Sequence, residues 1–141
     1  MHKVVTDLHE TLLNVADPFK RETAEGWTVI QLVGHLIDSA ANNHQRFVRY
    51  TPSEPLHFPA YPQEQCVERG HYLTIDYQAL VALWYNYNLL IAHIIENILA
   101  DDRAAVIVIG DNPPVTLGFV IDDYYDHMQM HAGQFERILE A

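Results

Sequence analysis

The chain has one cysteine, two serines, six glycines and only eight basic residues, and each scarcity removes a class of function. The lone thiol, Cys66, has no partner for an internal disulfide, which fits a reducing, cytoplasmic setting. Neither Ser39 nor Ser53 stands in a nucleophile elbow, so a serine hydrolase of that kind is excluded. The glycines compose neither a phosphate loop nor a dinucleotide fingerprint. Lys+Arg 8 against Asp+Glu 19 leaves a formal charge of −11, and the basic residues form no stripe. Such a surface repels phosphate backbones, so nucleic acid is not the expected partner. The opening residues MHKVVTDLHE hold no apolar stretch of the signal-peptide kind. The longest uncharged run, between Asp76 and Glu96, is interrupted by Gln78, Asn86, Asn88 and His93. It reads as a buried helix rather than a membrane span.

What remains is a chain of 141 residues, 49% apolar and 19% charged, enough for one well-packed domain over 1–141. Four segments carry helical periodicity. The first, about Lys3 to Ala16, spaces Val5, Leu8, Leu12 and Val15 by three and four and ends at Asp17-Pro18. The second opens on a capping box, Thr28 and Gln31, with Trp27 and Leu32 placed as a hydrophobic staple, and runs to about Tyr50. A third runs from Asp76 to Leu99 with a stripe through Leu80, Trp84, Tyr87, Asn88, Ile91, Ile95 and Ile98. The fourth starts after Pro113-Pro114 with Thr116 as N-cap and continues almost to the end.

Only Ala105 to Ile109 has strand character, and one short strand builds no sheet, so it reads as an extended connector. The predicted fold is all-α: a four-helix bundle with one long crossover between helices two and three. That crossover, about 25 residues bearing Pro52, Pro55, Pro59, Pro62 and Cys66, makes helices two and three parallel neighbours if it returns along helix two.

Histidine is abundant, at nine residues. His127 and His131 are four apart on the fourth helix, so both imidazoles share a face and could hold one metal ion; two solvated or core histidines give the same spacing. On the second helix His35 shares a wheel sector with Asp38, Ser39, Asn42 and Arg46. Polar groups on the inward face of an apolar helix are costly unless paired, which points to a buried polar site. Within it Arg46 is expected first to pair with Asp38 or another internal acid, and otherwise with a carboxylate of a substrate or thiol cofactor. Asp38 and Asp123 lie about a turn from His35 and His127 and could orient them. Asn42, Arg46, Trp84, Asn88 and Tyr124 are candidate pocket residues, with Trp84 first of all a core residue. His2, His9, His44, His57, His71 and His93 are read as bystanders.

Together WTVIQLVGHLIDSAANNHQRFVR, YPQEQCV, LWYNYN and VTLGFVIDDYYDHMQMHAGQFERIL resemble the DinB superfamily, four-helix bundles grouped with bacillithiol and mycothiol S-transferases. The likeness spans nearly the whole chain, and its most specific element is GHL on helix two followed by H-x3-H on helix four. The resemblance implies that His35, His127 and His131 bind a divalent metal, zinc or nickel. It further implies a metal-dependent enzyme acting on a small molecule, either as an S-transferase using a low-molecular-weight thiol or as a hydrolase activating water. A homodimer is also implied, and a non-catalytic metal- or ligand-binding homodimer is the other reading. One departure is in the crossover, where Tyr61 is followed by Cys66 rather than the tryptophan expected in close relatives.

Overall fold

The computed structural model describes residues 1–141. Its long helices start where the side chains offer caps. Helix α1 is His2–Leu13; it stops short of Ala16, the Asn14 amide donating to the Glu10 carbonyl at 2.8 Å while Val15 still tucks into the core. Helix α2, Val29–Arg49, begins on a complete capping box: Gln31 N donates to Thr28 Oγ1 at 3.4 Å and Thr28 N to Gln31 Oε1 at 3.0 Å. The crossover then forms strand β1, Leu56–Phe58, and a short helix α3, Gln63–Arg69, followed by a 3₁₀ turn at Tyr72–Thr74. Helix α4, Tyr77–Glu96, is capped by Asp76, which accepts from Ala79 N at 2.8 Å. After strands β2, Val106–Ile109, and β3, Val115–Thr116, the final helix α5, Leu117–Glu140, starts with Thr116 Oγ1 accepting from Phe119 N at 3.1 Å.

Helices α1, α2, α4 and α5 form the bundle, closing on Trp84, Phe47, Phe135, Leu12 and the aliphatic residues between them. Their directions follow from which residues meet. Tyr72 and Asp38, Tyr87 and His44, then Ile94–Ile98 and Phe47–Tyr50 come together in ascending order, so α2 and α4 run parallel. Between α1 and α4 the order reverses, from Tyr77 on Leu12 through His9 on Tyr85 to His2 on Glu96. Residues His35 and Phe47 of α2 meet His131 and Tyr124 of α5, again antiparallel.

The strictly all-α expectation is corrected by a small sheet of order β1-β2-β3. β2 is the AVIVI segment; it pairs parallel with β1, Leu56 opposite Ile107, and antiparallel with β3, Ile107 opposite Val115. The missing partners are two- and three-residue pieces of proline-bordered loop, too short to show alternation. The sheet matters because it fastens the crossover to the bundle. Gly110 permits this at φ +57, donating from N to the Phe58 carbonyl at 2.9 Å and leaving only 3.2 Å between an added Cβ and that of Ala60.

Candidate metal centre

The two central helices bring their histidines to one height. His35, from the buried face of α2, and His127 and His131, one turn apart on α5, point ring nitrogens at each other, all within 4.8 Å. His127 Nε2 lies 3.4 Å from His35 Nε2 and 3.1 Å from His131 Nε2. A single ring nitrogen has either one proton or one lone pair, so His127 Nε2 makes a good hydrogen bond with at most one of its two neighbours. The packing of all three is therefore poorly served by hydrogen bonding alone. It suits a cation: nitrogens sharing one tetrahedral zinc at about 2.0–2.1 Å lie ~3.3 Å apart.

Proton placement is set from outside the cluster. His131 Nδ1 lies 2.8 Å from Gln134 Oε1, and the Gln134 amide nitrogen faces Glu22 Oε2 at 3.5 Å. A carboxamide oxygen only accepts, so the His131 proton sits on Nδ1 and the Nε2 lone pair points into the cluster. Arg137 Nε donates to the same Glu22 at 2.9 Å and holds that carboxylate in place. Burial, with the neighbouring His131 and His127 rings, pushes His35 down to about 4. His127 is lowered by burial and by His131, against the pull of Asp123, and His131 by burial against its bond to Gln134. All three are neutral at pH 7, the form that ligates metal.

The carboxylates near the histidines have other positions. Asp38 accepts from the Tyr72 hydroxyl at 2.6 Å, its other oxygen and His35 Nδ1 each being buried without a partner. Burial raises the Asp38 carboxyl in spite of the Tyr72 bond. Tyr72 reaches it by lying flat over Gly34, where a Cβ would fall 2.1 Å from the ring. The glycine of GHL thus gives the crossover direct access to α2. Asp123 makes no hydrogen bond to His127 but lines the same cavity.

That cavity, about 140 Å³, opens beside His127 between Ser39, Asn43 and Arg46 of α2, Tyr61 of the crossover, and Asp123 and Tyr124 of α5. Arg46 and Tyr124 were candidates for its wall and Ser39 shares the helix sector of His35, whereas Asn43 and Tyr61 were not among the candidate pocket residues. Trp84 and Asn88 are fully enclosed in the core; Asn88 donates to the Trp84 carbonyl and accepts from the Tyr124 hydroxyl at 2.5 Å, steadying a cavity wall from behind. Asn42 donates to the Asp38 carbonyl at 2.8 Å and is not part of the wall. The ion pair expected between Arg46 and an internal acid is not formed: its hydrogen bond is to Asn43 Oδ1, at 3.2 Å, and Asp123 of the same cavity acts on it through charge alone, against the effect of burial, without reaching ion-pair distance. Gln134 was missed altogether, although its i+3 spacing from His131 on α5 was available. Outside the cluster His44 approaches the Tyr87 hydroxyl at 2.9 Å, His9 stacks on Tyr85 at 3.8 Å, and His2 pairs with Glu96.

No protein-family model matches the sequence, and neither does any curated protein. Solved structures match its fold. YfiT from Bacillus subtilis, described as "a probable metal-dependent hydrolase with an unusual four-helix bundle topology", superposes with a TM-score of 0.82 at 19% identity, over 96% of this chain and 82% of its own. A mycothiol-dependent maleylpyruvate isomerase superposes with a TM-score of 0.74 at 15% identity, over 95% of this chain, which spans only 57% of the isomerase. The chain thus shares its fold with these two structures, the first of them described as a four-helix bundle.

Proposed function

We propose that the protein is a metal-dependent enzyme in which His35, His127 and His131 hold one divalent ion, zinc or nickel, next to a small-molecule cavity. The observation that carries this reading is the convergence of three Nε2 atoms at 3.1 and 3.4 Å, one of them with its lone pair aimed inward by Gln134. His35, His127 and His131 would hold the ion as neutral imidazoles, and a divalent metal so held would supply the Lewis acidity that lets a thiol or water ionise near neutral pH. The chain's own residues do the rest. Gln134 keeps the proton of His131 on Nδ1, Trp27 packs against the His35 ring with centroids 5.0 Å apart, and Tyr61 brings a hydroxyl from the crossover to the cavity.

Thiol transfer to an electrophile and hydrolysis by water would share this site, and the cavity next to His127 is lined by polar groups suited to holding a small molecule in either case. The non-catalytic reading would be better served by a closed four-residue cluster without a cavity. The test follows loss of a small electrophile by the zinc- or nickel-loaded protein, with and without a low-molecular-weight thiol. Turnover that His127→Ala abolishes is the expected result, thiol-dependent if the reaction is transfer. Equal turnover with no thiol present would remove the transferase version and leave hydrolysis. Metal-loaded protein that turns over neither would contradict catalysis.

A further inference from the structure

Arg46 is the one cation on the wall of the cavity and it has almost nothing to hold. The residue is 6% exposed, yet a single hydrogen bond to Asn43 occupies one of five N–H donors, and Nε is buried with no partner. In a chain with 19 acidic residues none is paired with it. Its direction is nevertheless firmly set. Asn43 donates its amide to the Ser39 carbonyl at 2.9 Å, which turns Oδ1 to the guanidinium. On another side Phe58 of β1 lies under the guanidinium, 5.3 Å from ring centroid to Cζ. A buried charge this well oriented and this poorly paired is an incomplete ion pair.

We infer that Arg46 is the anchor for a carboxylate on the small molecule that enters the cavity beside His127. A guanidinium fork matches a planar carboxylate with two parallel hydrogen bonds. Asp123, which lines the same cavity, selects for low charge: it offsets the guanidinium, so, metal aside, a monoanion leaves the cavity at −1 whereas a phosphate dianion leaves it at −2, the costlier burial. The inference rests on the metal reading only for the reacting end of the molecule. The anion anchor is a property of Arg46, Asn43, Phe58 and Asp123 whether or not metal is present.

Calorimetric titration with 3-mercaptopropionate, uncharged 2-mercaptoethanol and inorganic phosphate, on zinc-loaded and chelator-stripped protein, separates the two. The wild type should bind 3-mercaptopropionate tighter than 2-mercaptoethanol by about tenfold or more, with phosphate weakest. Arg46→Gln should erase that preference while zinc stoichiometry stays unchanged. Arg46→Lys, which keeps charge without the fork, should retain part of it, and Asp123→Asn should strengthen carboxylate binding with Arg46 untouched, so the outcome does not hang on one variant folding. A carboxylate preference that survives in Arg46→Gln, or phosphate binding as tight as 3-mercaptopropionate, overturns the anchor. Carboxylate preference on stripped protein that takes up no zinc supports the anchor and defeats the metal reading instead.

Discussion

At His131 the ring proton lies on Nδ1 because its neighbour there, Gln134 Oε1, only accepts, and the consequence is a lone pair aimed at His35 and His127. Removing that acceptor frees the ring to rotate and to change tautomer. Gln134→Ala should therefore weaken zinc binding by about 10- to 100-fold, read by competition with a calibrated chelator, with the helical content unchanged. Unaltered affinity would mean that the bond is incidental. The histidines also make metal-free protein sensitive to acid. Burial holds His35 at about 4 against an ordinary value of 6.5, so in the interval between them the unfolded chain takes up a proton that the folded chain refuses. Stability then rises with pH across this window and is lost as pH falls from 6.5 towards 4. Urea midpoints of stripped protein should drop over that range, and His35→Gln should flatten the drop; a midpoint that climbs on acidification would contradict the assignment.

Among the elements, α2 carries the most: it supplies His35, the Arg46 anchor and the seat for the crossover. Its start was legible, since Thr28 and Gln31 make a capping box in the structure as the sequence implied. Gly34 is less obvious. It is in the interior of a helix, where glycine is unfavourable, because the Tyr72 ring occupies the space of a side chain. Gly34→Ala should displace that ring and cost about 1–3 kcal/mol, measured as a urea midpoint shift, while Tyr72→Phe, which removes only the hydroxyl bonded to Asp38, should cost about 1 kcal/mol. Equal stability of wild type and Gly34→Ala would mean that the crossover is not seated on α2. The sheet was not legible: β1 and β3 are three and two residues long, and a strand of that length shows no period. For the same reason the wall formed by Tyr61, which the sheet helps to position, could not be read from the chain.

Over the whole molecule, the parallel packing of α2 with α4 explains why a proline-rich segment of some 25 residues is needed between them: the chain must travel back the length of a helix before starting the next. That requirement was visible in the loop length, and the four helices were visible in their periodicity. The pairing within the cavity was not, because a helical wheel says which residues share a face and nothing of what faces them. Arg46 shows this, with no acid at ion-pair distance and the aromatic ring of Phe58 beneath its guanidinium. A bundle closed around three histidines should also gain stability from the ion they hold. Saturating zinc at about 100 times its dissociation constant should stabilise stripped protein by about 2.7 kcal/mol, seen as a rise in Tm that His127→Ala lacks.

Metal content by mass spectrometry on the untagged protein, wild type and His127→Ala measured together, tests the three-histidine centre most directly. About one zinc or nickel per wild-type chain, lost in the variant, is the expected result. Wild-type protein that carries no metal and takes up none when zinc, nickel or manganese is added would contradict the account, and the three imidazoles would then be packing groups of the bundle.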